Sequence, residues 1–524
     1  MLPIRRPVNR AVQAISDSYS SPVGGWNARD PLAMMKPQDA IELWNWFPRT
    51  GDVTCRKGAT EWSTGYASEV KSLLDYSGAD GTLELFACTN SGIYDATAGG
   101  AVGAAMITLT QGYCQHINMR VSTTSYLMAV NGVDKMKLYN GATWQSIDST
   151  TTPAITGLAT ETITNVALHK RRVFFTVKDS LSVWYLPVIS IGGAATEFPL
   201  DSLFAKGGYL MAVGTWTLDA GQGVDDHFVA ITSEGEVVVY KGTDPSDSTK
   251  WALVGVFFLG RPLGRQCFIK YGGDLLVITQ SGVFPLSKGL LSSTLNLRPA
   301  LTTRIEQAFN FASSNYGANR GWCAEIVPKE SMILFNIPTR EGLESDQYVM
   351  NTITGAWAKF TGWNATAMAV VDDQLYFSAL VNGAYIVAKG LTGYNDFNTN
   401  ITLYGKQAYN YFKRREMKKN WTLLRPIFTV SNQITLGFRI DVDFDFPYYS
   451  SGIARVGNNS GLSLWGTAVW GTGHWVGGNV ANRQWRAVAS KEGYCASLAV
   501  LVDVKDIEVS WSSTDFKFIP GNGL

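Results

Sequence analysis

Apolar residues in this chain either alternate with polar ones or run together in short blocks closed by Gly, Asn, Asp or Ser, and sustained helical period is missing. The pattern predicts an all-β protein. One unit recurs: an apolar strand, a tight polar turn, then a second strand rich in aromatics. It is read at residues 83–96 (LELFACTNSGIYDA), 126–141, 173–186 (VFFTVKDSLSVWYL), 227–242 (HFVAITSEGEVVVYKG), 275–289, 332–350 and 374–390. The turns hold Gly92, Gly132, the pair Asp179-Ser180, Gly235, Gly282, Gly342 and Gly383, at a mean spacing of about 48 residues, near the roughly 40–50 of a four-stranded propeller blade. The expected core is a β-propeller of six or seven blades over residues 66–400.

Two flanks stand outside the repeat. Residues 1–65 carry Pro3, Pro7, Pro22, Pro31, Pro37 and Pro48 with few strand signals, and read as an extended arm without a core of its own. The arm holds Trp26, Leu32, Met34, Met35, Ile41, Leu43, Trp44, Trp46 and Phe47, more large apolar groups than a solvated segment keeps, so part of it is expected to contact a partner. Residues 401–524 read as a separate β-region that closes the propeller or forms an attachment or tip domain. Within it, Phe438, Ile440, Val442, Phe444 and Phe446 alternate with Arg439, Asp441, Asp443 and Asp445, which predicts one strand with an apolar and a charged, solvated face. The basic run 413–419 has helix-like surroundings. It reads as a solvated face, as a subunit contact, Lys413, Arg414, Arg415, Lys418 and Lys419 meeting a neighbour's Asp441, Asp443 and Asp445, or as a direct DNA contact, for which it lacks interleaved aromatics. Trp465, Trp470, Trp475 and Trp485 read as β-core residues or as an exposed tip.

Composition narrows the class. Only 17% of the 524 residues are charged, against roughly 25% in an average globular protein, beside 46% hydrophobic and 52 glycines. A coiled coil, a disordered regulator and a charge-rich bundle are excluded. The net charge of +1 supplies no field for tight nucleic-acid or anionic-membrane binding. No apolar run reaches the roughly 18 residues of a spanning helix, and the opening residues predict no secretory leader. The six cysteines lack CxxC spacing and are expected to be free, mostly buried thiols.

Chemistry is sparse. His116, His169, His227 and His474 form no HExxH or HxH and have no cysteine at zinc-ligand spacing. No nucleophile elbow, phosphate loop or dinucleotide fingerprint is present. Neither a catalytic residue nor a metal or cofactor site is expected. A glycosidase needs only two carboxylates at defined separation, and 43 acidic residues supply many pairs.

The N-terminal segments Ser21-Pro-Val-Gly-Gly-Trp-Asn-Ala-Arg-Asp-Pro-Leu32, Met35-Lys-Pro-Gln-Asp-Ala-Ile41, Asn45-Trp-Phe-Pro48 and Arg56-Lys-Gly58 together resemble the start of the tail nozzle family of short-tailed double-stranded DNA bacteriophages, also called tail tubular protein B. The resemblance is strongest over residues 20–60. It implies a structural virion protein of the tail, made in the host bacterial cytoplasm, with no enzyme activity. Six copies would form a ring at the distal end of the tail and a channel for DNA ejection, touching tail adaptor or tube proteins, fibres or tailspikes and, in passing, the host surface and the genome. Trp26, Arg29, Asp30, Trp44, Trp46 and Phe47 join the basic run and the Asp441–Asp445 row as assembly candidates. The competing expectation is a propeller that binds or degrades a surface glycan.

Overall fold

The structure, a computed structural model, describes residues 13–219, 224–289, 300–431, 434–451, 453–457, 480–482 and 484–521. The chain divides into two compact units, one of residues 58–352 and 361–392, the other of residues 1–57, 353–360 and 393–524.

The first unit is a β-propeller. Seven groups of antiparallel strands follow one another along its described residues, beginning at Ser72–Ser77 (blade I), Gln115–Val121 (II), Ile163–His169 (III), Leu210–Asp219 (IV), Phe268–Tyr271 (V), Cys323–Val327 (VI) and Ala367–Val371 (VII); the strands of blade VI belong to a larger, ten-stranded sheet. Each first strand touches the first strand of the next blade, and that of blade VII touches that of blade I, which closes the ring. Blade VII is completed from far upstream: Ala59–Tyr66 pairs antiparallel with Ala384–Gly390.

The seven sequence repeats are the second and third strands of the seven blades, and most of the turn residues take a left-handed backbone. Gly132, Gly235 and Gly383 have φ of 77°, 86° and 81°, and Asp179 takes the same region at 54°. Adjacent blades share their cores. Phe174 and Phe175, neighbours on one strand, point to opposite faces. Phe175 packs with Met128, Leu138 and Ile147 of blade II, and Phe174 with Phe228, Val238 and Trp251 of blade IV. Each blade is therefore apolar on both faces, the physical reason for uninterrupted runs such as VFFTV.

The second unit is built from both chain ends, and here the structure departs from the expected arm. Residues 15–57 are strands of a shared fold. Ile15–Ser20 pairs with Val509–Pro520, which also pairs with Val53–Cys55 and Lys419–Val430. Asp39–Trp44 pairs with Ile401–Gln407, itself paired with Ala496–Val504. Trp46 and Trp511, whose rings lie 6.1 Å apart on the first of these sheets, face Gly405 of the second, where a Cβ would stand 3.2 Å from the Trp511 ring and 3.4 Å from Trp46 Nε1. Large apolar residues scattered among prolines read as an arm because their strands are short and their partners lie hundreds of residues downstream.

Candidate functional site

The first strands of the blades surround the propeller axis, and three of them bring titratable groups together. Asp75 of blade I lies 2.7 Å from Nε2 of His116 in blade II, and the Asn118 amide donates to the Asp75 carbonyl at 2.8 Å. Burial would raise the Asp75 carboxyl, but the His116 and Asn118 contacts outweigh it and hold the group below its ordinary value. Glu325 of blade VI behaves oppositely: burial, then the charge of Asp75, pushes it up to about 8. It makes no hydrogen bond or ion pair among the described residues. One carboxyl is therefore kept ionised and another protonated near neutral pH.

Residues just before the first strands form a second cluster. Lys71 and Arg320 each lie 4.8 Å from the centre of the Tyr113 ring. The Tyr113 hydroxyl donates to Glu341 at 3.3 Å, and the Arg320 backbone N–H donates to the same carboxylate at 3.2 Å. Cation–π contacts and a shared carboxylate fix this cluster. No group of three or more His, Cys, Asp or Glu side chains suited to a metal ion occurs among the described residues. All six cysteines are free and buried.

Five of the fourteen assembly candidates drawn from the sequence, Trp26, Trp46, Phe47, Lys419 and Asp441, are buried in the second unit's interior. Trp46, Phe47 and Trp26 are buried, while Trp44 is half-buried against Tyr404 and Tyr449. Arg29 pairs with Asp30 at 2.7 Å in a loop organised by Asn27, whose side-chain carbonyl accepts both their backbone N–H groups.

The charged row is corrected as well. The strand Thr435–Val442 ends before Asp443 and is buried along Leu436–Asp441, because its charges are satisfied from within. Asp441 is fully buried, 2.8 Å from Lys406 Nζ and 2.7 Å from Arg439 Nε. Asp443 and Phe444 have φ of 49° and 67°, so the row turns off the strand, and Asp443 accepts the Tyr494 and Cys495 N–H groups. Asp445 is exposed on the same turn, and its backbone carbonyl accepts Lys406 Nζ. Among the described residues the strand Thr435–Val442 therefore presents no solvated acidic face, and the exposed Asp443 and Asp445 stand on the turn that follows it.

That run forms no helix either. Lys413, Arg415 and Lys418 are exposed and Arg414 is half-buried. Lys419 is buried, its ammonium donating to the Met417 and Tyr494 carbonyls at 2.8 and 2.7 Å. Trp485 is half-buried, 4.8 Å from the Arg425 guanidinium; Trp465, Trp470 and Trp475 lie outside the described residues. Asp75, His116 and Glu325 escaped the sequence reading because three different blades supply them. The one available signal was a histidine inside a first strand.

The closed ring of seven blades defines a β-propeller protein whose chain ends build a separate β-sandwich. No family model matches the chain, and no curated protein matches it. Similar solved structures include the Cps50 (Swd1) β-propeller domain of Myceliophteria thermophila, with a TM-score of 0.39 and 11% identity over 63% of this chain and 99% of that one. The Neurospora crassa Pan2 WD40 domain gives 0.38 and 9% over 64% and 98%. BBS1N, in its complex with ARL6DN, gives 0.27 and 17% over 41% of this chain, which spans 63% of that structure. These likenesses concern fold alone.

Proposed function

We propose that this protein is a structural subunit of a short bacteriophage tail, a nozzle-type component that self-associates into a six-membered ring, acts in the virion and passes DNA without binding its sequence. The observation that carries an assembly role is the outer strand of blade IV, Trp251–Phe258. Leu253, Val254, Val256 and Phe258 are 45%, 50%, 37% and 37% exposed on a strand that has one neighbouring strand among the described residues. Other outer strands are short or polar, such as Trp144–Ile147 and Thr196–Pro199. An exposed apolar edge of eight residues invites pairing unless another chain covers it. A closed ring uses such an edge against a different patch of the next copy. The low charge of the chain suits a conduit, since each phosphate contact would hold the genome back. Native mass and negative-stain imaging of the full-length protein mixed with its tail adaptor test the proposal: a six-fold ring supports it, and a monomer that never joins the adaptor rejects it.

A second reading, a glycan-degrading propeller, draws on Asp75 and Glu325, whose protonation is driven apart as in acid–base pairs. Release of reducing sugar from bacterial polysaccharide, lost in both Asp75→Asn and Glu325→Gln, would replace the first reading with this one.

A further inference from the structure

A cleft of about 400 Å³ lies between blades I and II, where the loop 78–82, the turn at Ser122-Thr123 and the turn at Asn140-Gly141 come together. Three of its polar side chains are held by their own loops, leaving specific atoms for a ligand. Asp80 accepts the Thr82 backbone N–H at 3.0 Å, which with the Thr82 hydroxyl keeps its carboxyl below the ordinary range. Arg120 donates through Nε to the Ser122 carbonyl at 3.3 Å, so the two terminal nitrogens of its fork remain. Asn140 accepts the Ala142 and Thr143 N–H groups through Oδ1, and its amide NH₂ makes no hydrogen bond among the described residues.

Arg120 and Asp80 line the same cleft and form no ion pair with each other or with another described residue. Their loops hold opposite charges in one cavity without letting them meet. What completes the set is a ligand whose groups both donate and accept at short spacing. Vicinal hydroxyls do this: one oxygen accepts from the Arg120 fork or Asn140 amide while its neighbour donates to Asp80. The hydroxyls of Thr123 and Thr124 extend the same dual character. Tyr76 forms part of the wall, its own hydroxyl turned to the Ser125 carbonyl at 3.2 Å. A Cβ at Gly141 would stand 2.7 Å from that hydroxyl, so a side chain there would displace the wall.

We propose that this cleft binds a saccharide unit, with Arg120 and Asn140 as donors and Asp80 as acceptor. No second carboxyl lines it, so the site recognises rather than cleaves. The inference is independent of ring assembly, because every group belongs to two adjacent blades of one chain.

The test uses the full-length protein on an array of bacterial surface saccharides, followed by saturation-transfer NMR and calorimetry with the best-bound oligosaccharide. Binding is expected to fall about tenfold in Arg120→Ala and in Asp80→Asn, the loss of one hydrogen bond to a charged partner. Arg120→Lys, which keeps the charge but not the fork, is expected to weaken it too. Both residues are exposed, so circular dichroism and melting temperature should be unchanged. The proposal is overturned if no saccharide is retained, if Arg120→Ala and Asp80→Asn bind like the parent, or if retention is confined to acidic polymers, vanishes with salt and ignores Asp80→Asn.

Discussion

Arg56 is 2% exposed, and its guanidinium donates to Asn45 Oδ1 at 2.8 Å, to Asp396 Oδ1 at 2.9 Å and to the Lys57 carbonyl at 3.0 Å. Asn45 holds a left-handed backbone at φ 61°, and Gly25 at 78°, where a Cβ would lie 2.6 Å from the Trp357 carbonyl oxygen. Residues that gave the N-terminal segments their recognisable order are thus constraints on one sandwich. Their types were legible, but their role was not, since Asp396 is 340 residues away from Arg56. Asp396→Ala, which strands a buried guanidinium, should cost about 3–5 kcal/mol in chemical denaturation, and Arg56→Lys should also destabilise because an ammonium cannot fork. At the propeller axis, a carboxyl raised to about 8 in the fold but ordinary in the unfolded chain contributes stability that is lost as pH rises from roughly 4.5 to 8. Glu325→Gln should therefore raise the melting temperature at pH 8 and change it little at pH 4. His169, buried and lowered to about 4, acts oppositely, its contribution fading as pH falls from roughly 6.5 to 4.

Hairpins were the readable level of this fold. Second and third strands of each blade are buried on both faces and closed by a tight turn, so seven of them stand out in the chain. First strands are harder to see. Gln115–Val121 carries Gln, His, Asn and Arg because part of it faces the axis, which blurs its alternation. The Thr435–Val442 strand misled for a related reason: aspartate on alternate positions reads as solvent-facing unless Lys406, 35 residues upstream, is known to meet it. On the blade IV edge the apolar run was plain in the sequence, though its exposure was not. Val254→Lys combined with Val256→Lys should leave the melting temperature nearly unchanged, as surface replacements typically shift stability by about 0.5 kcal/mol or less. Sedimentation velocity should then show the loss of self-association. Rings that survive the pair of lysines would remove this edge from the assembly.

Across the whole molecule, each end of the chain is tied to distant segments. Removing residues 1–57 takes away Ile15–Ser20, Asp39–Trp44, Trp46–Pro48 and Val53–Cys55, and it uncovers Trp511 and Phe428, whose rings pack against Trp46. The truncated protein should be insoluble, measured as the soluble fraction after expression, rather than folded and merely unable to assemble. The blade VII seam has a consequence of its own for biogenesis. Ala59–Tyr66 leaves the ribosome well ahead of its partner Ala384–Gly390, which emerges more than 300 residues later. At about 5–20 residues per second, that strand waits some tens of seconds without its mate. Until then the nascent chain exposes an open sheet edge, and a ribosome stalled before residue 390 would leave every copy vulnerable to chaperone capture or proteolysis.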